Sequence, residues 1–259
     1  MLELKNIYKT FNKNSPNPTI LFKDLNLNFK KGEFVTIIGS NGSGKSTLLN
    51  IISGGTGIDS GQILINGKDI TNTKDFQRYG YMGRVFQNTA LGNCSTMTVF
   101  ENLLLAENKN RKWDLSPAIN MNKISEYKEK LKEVGLGLES KLDIPMSKLS
   151  GGQRQVVSLL MATLPKIDLL ILDEHTAALD PKTAERVMEI TKEQVEKRNL
   201  TTLMVTHNLD HAIKYGNRLI MLHEGAIILD MDEKEKEKAK LDDLLDIFNK
   251  ISIRRGNSI

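Results

Sequence analysis

Nine consecutive residues, Gly39-Ser40-Asn41-Gly42-Ser43-Gly44-Lys45-Ser46-Thr47, combine glycine, hydroxyls and one lysine at a spacing that suits phosphate binding. Glycines let successive backbone N–H groups turn inward with no Cβ in the way. Those groups, together with the positive end of a following helix, hold anionic oxygens. Lys45 would reach the β- and γ-phosphates of a nucleotide, and the Ser46 hydroxyl would ligate Mg²⁺. The flanks agree with this reading. Phe34-Val35-Thr36-Ile37-Ile38 is a short, β-branched apolar run, a buried strand by pattern, and Leu48-Leu49-Asn50-Ile51-Ile52 can continue as a helix.

A second set of reactive side chains ends another apolar run, Leu169-Leu170-Ile171-Leu172-Asp173-Glu174. A parallel strand buried on both faces that delivers acids at its C-terminal end suits a nucleotide site: Asp173 would support Mg²⁺ and its waters, and Glu174 would accept the proton of an attacking water. The same pair could instead cap a helix start. His207 follows the β-rich run Thr201-Thr202-Leu203-Met204-Val205-Thr206, where it serves either structure or a γ-phosphate. Gln87 stands at a strand exit after Val85-Phe86, as a surface amide or as part of a site. Ser150-Gly151-Gly152-Gln153 opens a helix with Ser150 as N-cap, and its bare glycine backbone makes either an ordinary loop or a second anion site. Phe11 is either an edge-strand core residue or an aromatic plate for adenine.

The elements that must carry these groups are legible in outline. Leu2, Leu4 and Ile7 predict an early strand closed by Phe11, before the breaker loop 12–18. Leu25, Leu27 and Phe29 alternate with polar residues in a half-buried strand, so antiparallel strands lie beside the phosphate loop. Residues 62–68 read as a strand ending in an Asn66-Gly67 turn. From Asn88 the pattern turns helical. Thr98 with Glu101 forms a capping box, and Ile124, Tyr127, Leu131 and Val134 fall at helical spacing before Gly135. The polar segment between, 108–122, reads as exposed and holds Trp113. Asp180-Pro181 starts a helix with Ala184, Val187, Met188 and Val195 on its apolar face. A short helix covers 208–215, and Glu224-Gly225 joins a closing hairpin. The charge run 232–240 reads as a solvated face, Leu241, Leu244, Leu245 and Phe248 as one docked helical stripe, and 254–258 as frayed.

At 259 residues the chain can bury a large core, and 36 basic against 32 acidic residues is too mild an excess to argue for nucleic acid. The single cysteine, Cys94, excludes a disulfide framework or a cysteine-based zinc site within the chain. The N-terminus lacks the apolar core of a signal peptide, and no stretch approaches the roughly 20 apolar residues of a membrane helix. The expectation is a cytoplasmic protein whose role at a membrane comes through a partner.

Together, and in this order, the motifs make the chain resemble an ATP-binding-cassette ATPase from about residue 2 to residue 248. The resemblance rests on a Walker A motif at 39–47, a Q-loop glutamine at Gln87, and a signature at Leu149-Ser150-Gly151-Gly152-Gln153. It also takes in a Walker B motif through Asp173 and Glu174, a D-loop at Ala178-Leu179-Asp180, and a switch histidine at His207. It implies an α/β fold: a P-loop NTPase (RecA-like) core at 1–88 and 165–230, with an antiparallel β subdomain. A helical subdomain would be inserted at about 89–164, the whole forming one domain over 1–240, followed by a C-terminal helix and tail at 241–259. It implies ATP and Mg²⁺ as ligands, with Phe11 as the adenine plate and Ser46, Gln87 and Asp173 near the metal. Glu174, His207, Lys45 and Gln87 would act in hydrolysis, and residues 39–47, Ser150, Gly151, Gly152, Gln153 and Asp180 would contact nucleotide. It implies a head-to-tail dimer in which Ser150 of one copy closes over the phosphate loop of the other, and a permease docked over 89–96. An extracytoplasmic binding protein would act indirectly, with the ATPase peripheral at the inner face of the membrane.

One residue departs from the pattern: His175 stands where relatives carry proline, and it is read as a branch marker and not a second base. The stretch 173–183 is similar to importer ATPases linked to amino-acid uptake of the tryptophan/tyrosine type, and the absence of a Glu-Gly-rich segment before Leu149 leans toward import. The alternatives are a soluble cassette ATPase of iron–sulfur assembly and a permease-linked regulatory ATPase.

Overall fold

The computed structural model describes residues 1–109 and 120–256. Two sheets carry the chain. Strands β1 (Leu2–Phe11) and β2 (Thr19–Phe29) pair antiparallel, burying Leu2, Leu4, Leu25, Leu27 and Phe29 at the period of two, with Ile7 buried after a register shift that follows Leu4. After β3 (Phe34–Gly39) and helix α1 (Lys45–Ser53), β4 (Ser60–Ile65) returns to pair with β1. It turns through Asn66 and Gly67, both at positive φ (51° and 78°), into β5 (Lys68–Asp69). Positive φ at both turn residues is what a tight two-residue hairpin needs. A short helix α2 (Asp75–Arg78) leads to β6 (Met82–Val85).

Between β6 and the next strand the regular elements among the described residues are helices. In α3 (Val99–Glu107) the Thr98 hydroxyl accepts from the Glu101 N–H while Glu101 accepts from the Thr98 N–H. This reciprocal cap satisfies two of the N–H groups a helix start leaves over. Helix α4 (Lys123–Val134) buries Tyr127, Leu131 and Val134 and ends at Gly135 in the left-handed region. Helix α5 (Gly151–Thr163) opens on the same kind of cap, Ser150 with Gln153. Trp113 lies outside the described residues.

Strand β7 (Leu169–Asp173) re-enters the core. It is followed by α6 (Pro181–Arg198) with Asp180 as N-cap, β8 (Thr201–Val205), α7 (Leu209–Lys214), β9 (Arg218–His223) and β10 (Ala226–Met231). Helices α8 (Glu233–Lys236) and α9 (Leu241–Gly256) close the described chain. The larger sheet runs β10-β9-β3-β8-β7-β6, parallel except for β10. Its parallel strands β3, β8 and β7 bury both faces, whereas the edge strand β10 is exposed to half-buried. Leu169, Ile171, Leu203 and Val205 pack with α1 and the smaller sheet, while Leu170, Leu172 and Met204 pack with α3, α4, α5 and α6. The unbroken apolar runs of the sequence are this two-sided burial.

Three expectations about the C-terminal region change. The charge run 232–240 is not uniformly solvated. Lys236 is buried, donating to the Thr36 hydroxyl and to the carbonyls of Tyr215 and Gly216 where α7 ends. The helical stripe is Leu244 with Ile247 and Phe248 against α7 and β9, whereas Leu245 is 40% exposed, since it projects from the opposite side of α9. Helix α9 also continues to Gly256, through residues expected to fray.

Burial lowers the Lys236 ammonium to about 7, against roughly 10.4 in an unfolded chain. Between those values the unfolded chain binds more protons, so the penalty of burying the charge is complete below the folded value and is relieved as pH rises. The denaturation midpoint of the wild type should therefore rise, relative to Lys236→Met, between about pH 6.5 and about pH 9.5. Parallel pH dependences in urea melts would contradict the burial.

Candidate functional site

Three elements converge at the C-terminal edge of the larger sheet. The loop after β3 takes positive φ at Gly39, Gly42 and Gly44. At Gly44 (φ 105°) a Cβ would meet the ring of buried Phe22 at 2.9 Å, so the loop needs glycine there for both conformation and space. A Cβ at Gly42 would enter open space, which marks that glycine as the loop's approach face. Gly44 caps α1 without a side-chain hydrogen bond, leaving the first N–H groups of the helix for an anion. Lys45 is buried, and its Nζ donates to the carbonyls of Gly39 and Ser40 at 2.8 and 3.0 Å. Burial pushes its ammonium below the ordinary lysine range, and Glu174 and Asp173 partly offset that shift.

From β7 and β8 come Glu174 and His207, with His207 Nε2 2.6 Å from Glu174 Oε1. Glu174 holds φ at 47°, unusual for a residue with a Cβ, and its N–H is tied to Val205 O at 3.0 Å. Backbone strain of this kind persists only where its surroundings over-determine it, and it gathers at functional sites. A cleft of about 280 Å³ is lined by Phe11, Thr19, Leu21, Glu174 and His207 together with residues 41–47. Phe11 is 38% exposed on that wall, not an edge-strand core residue. Glu174 and His207 also line a neighbouring cleft of about 520 Å³ that contains Thr176, Leu179, Pro181 and Asp210, so the pair stands between the two.

The other candidates lie elsewhere. Gln87 is exposed beyond the end of β6 and does not line the phosphate-loop cleft, and neither do Ser150, Gly151, Gly152, Gln153 or Asp180. Gln153 closes the α5 cap and donates to Leu136 O at 3.1 Å. Gly152 permits the contact between α5 and α6, because a Cβ there would sit 2.3 Å from the Thr183 methyl. Asp180 accepts from the Thr183 N–H, and the Thr183 hydrogen bonds hold its carboxyl below the ordinary aspartate range. Asp173 is paired with Arg84, whose Nη2 lies 2.6 Å from Asp173 Oδ2. Arg84 escaped the reading of the sequence, although an arginine inside the apolar strand Met82–Val85 is a visible signal.

His175 is buried. Its Nε2 lies 3.2 Å from Thr191 Oγ1, and that hydroxyl donates its proton to Val187 O. The imidazole therefore donates from Nε2. Burial, reinforced by nearby His211, lowers it to about 3, so it stays neutral and serves as packing between the loop after β7 and α6.

Among the described residues no group of three His, Cys, Asp or Glu side chains could hold a metal. A divalent cation at this edge would therefore need phosphate oxygens beside Ser46 and Asp173. That donor set suits Mg²⁺, which binds through few protein groups and substrate phosphates.

Comparison with known proteins agrees with this geometry. A family model described as ABC transporter matches residues 22–177. The tyrosine transport ATP-binding protein of Clostridioides difficile is 48% identical over 96% of this chain and 98% of its own length. The phosphonates import ATP-binding protein PhnC of Lactococcus lactis subsp. cremoris is 33% identical over 94% of this chain and 98% of its own. Among solved structures, an ATP-binding cassette seen as a dimer in a post-hydrolysis state with ADP and Pi aligns with a TM-score of 0.75. It is 30% identical and covers 90% of this chain and 99% of that one. The cbiO1 protein of Clostridium perfringens, described as part of the ABC transporter complex cbiONQ, aligns with a TM-score of 0.75 at 26% identity, covering 98% and 94% of the two chains.

Gly44→Ala adds a methyl against Phe22 at a φ that alanine resists. It should lower the thermal midpoint by several degrees and weaken ATP binding by about tenfold or more, measured by scanning and titration calorimetry. Wild-type affinity in that variant would show that the loop does not need glycine there.

Proposed function

The chain belongs to the ABC transporter family as an ATP-binding, ATP-hydrolysing subunit, and from that premise we propose that it powers solute import as one half of a nucleotide-clamping dimer. The observation that carries this reading is the cleft shared by residues 41–47, Glu174 and His207. In it, loop N–H groups and Lys45 bind the β- and γ-phosphates, and Phe11 packs on adenine. Ser46 and Asp173 would hold Mg²⁺, which would supply charge neutralisation on the transferring phosphoryl group. His207 engages one oxygen of Glu174, which leaves the second as acceptor for the proton of the attacking water. Lys45 remains protonated against the developing charge.

Ser150 and its glycines lie outside this cleft, so their contact with nucleotide requires a second copy that offers its own signature helix across the phosphate loop. Asp180 at the start of α6 and the neighbouring cleft that Glu174 and His207 also line would face that second copy. Gln87, exposed beyond the end of β6, would reach the metal site by an inward movement of the segment after β6.

The partner in the membrane is a permease. No helix among the described residues is long and apolar enough to cross a membrane. A groove of about 670 Å³ lies between β6, the segment after it, α3 and α5. It carries Phe86 and the exposed apolar side chains of Leu91 and Leu105, which are 69% and 52% accessible. An apolar concavity beside the expected docking segment 89–96 supports a permease contact there. The ATPase then works peripherally at the inner face of the membrane, with an extracytoplasmic binding protein delivering solute. The similarity to a tyrosine transport ATP-binding protein supports an aromatic amino acid as that solute.

Glu174→Gln should cut steady-state hydrolysis by about a hundredfold or more while ATP drives the chain to a dimer in light-scattering chromatography. A variant that stays monomeric in Mg·ATP would overturn the clamp. Uptake of labelled tyrosine by cells carrying only Glu174→Gln should fall to background. Unchanged uptake would remove the amino-acid assignment and leave the ATPase reading standing.

A further inference from the structure

Arg84 joins parts of the site that the phosphate-loop chemistry treats separately. Its Nη2 donates to Asp173 Oδ2 at 2.6 Å. Its Nη1 donates to Asn50 Oδ1 at 2.8 Å and to Ser53 Oγ at 3.1 Å. The guanidinium carbon lies 4.7 Å from the centre of the Phe86 ring, immediately before Gln87. Asn50 and Ser53 stand four and seven residues after Ser46 on α1, so all three share one helix face. The planar fork thus spans from the carboxylate of Asp173 to the face of α1 that carries Ser46, about one turn, or ~6 Å, further down the helix.

Stability alone does not account for this residue. Its side chain is 7% exposed and its Nε is buried with no partner. A buried ion pair is often no more stable than an apolar side chain of similar volume, and an orphaned donor adds a cost. The strand around it is otherwise apolar or glycine: Met82 and Val85 are buried, and Gly83 packs against the carbonyl of Ala162. The guanidinium is aimed so that both ends of the fork reach named partners while Nε is left without one.

We propose that Arg84 is a positioning residue for the divalent-cation site, setting the separation of Asp173 from Ser46 by tying Asp173 and the Asn50–Ser53 turn of the helix that carries Ser46 to one guanidinium. The proposal rests on the reading that Ser46 and Asp173 flank that cation. The clamp also lies across the end of β6, with Phe86 on its groove side and Asp173 on its nucleotide side. Movement of the segment carrying Gln87 therefore bears on Asp173 through the same side chain.

The test compares binding of the non-hydrolysed analogue AMP-PNP in Mg²⁺ and in EDTA by titration calorimetry. In Arg84→Met the ratio of the two affinities should fall about tenfold or more, while affinity in EDTA stays within about twofold of the wild type. Arg84→Lys keeps the charge but loses the fork, and should lose the ratio to a similar extent. Asn50→Ala with Ser53→Ala, which leaves the Asp173 pair intact and keeps the test available if Arg84→Met does not fold, should show a smaller selective loss. A wild-type ratio in Arg84→Met, an equal loss in EDTA, or full retention in Arg84→Lys would each overturn the positioning role. A ratio near one in the wild type itself would remove the cation site on which the proposal stands.

Discussion

Parallel pairing of β3, β8, β7 and β6 is the constraint on which everything else depends. In that ladder Ile37 lies opposite Val205, Val205 opposite Asp173, and Val85 opposite Leu172. The residues that leave these strands next are therefore delivered to one edge: Gly39 and the phosphate loop, Thr206 and His207, Glu174, then Phe86 and Gln87. A register slip of one residue would exchange the side chains that each strand sends to its two packed faces. Because both faces are packed, the slip is forbidden by hydrophobic burial on either side, and the catalytic edge inherits that rigidity. In open α/β sheets this edge is where ligands bind.

Around the rigid edge, polar groups are committed in pairs. Thr98 with Glu101 and Ser150 with Gln153 complete reciprocal caps, so α3 and α5 begin at defined residues despite glycines in the second case. Arg78 donates to carbonyls at the end of α1 and beyond β5, closing backbone acceptors that would otherwise be buried alone. Lys236 does the same at the end of α7. His175 contributes a neutral ring between the loop after β7 and α6, without adding charge beside Glu174.

The arrangement explains how a compact ATPase can answer to events on its surface. Arg84 lines the apolar groove and donates to Asp173, the residue before Glu174 of the nucleotide cleft. Ser150 and its glycines lie outside the cleft that residues 41–47, Glu174 and His207 line. The segments that line that cleft and the apolar groove leave the same sheet edge.

Much of this was legible in the amino-acid order because its causes are local. Glycine spacing before Lys45, the capping residues Thr98, Ser150 and Asp180, the Asn66-Gly67 turn and the two-sided apolar runs each act within a few residues of themselves, and each forms the element it announces. What remained hidden depends on partners far along the chain. Lys236 sits in an ordinary charge run until its ammonium meets Thr36, 200 positions away. The stripe on α9 excludes Leu245 because packing against α7 and β9 selects Ile247. Arg84 reaches Asp173, 89 positions on, across the sheet. Local sequence determines which elements form and which groups they can present; only the tertiary contact, which brings distant charges and carbonyls within hydrogen-bond reach, decides which of those groups face water and which face one another.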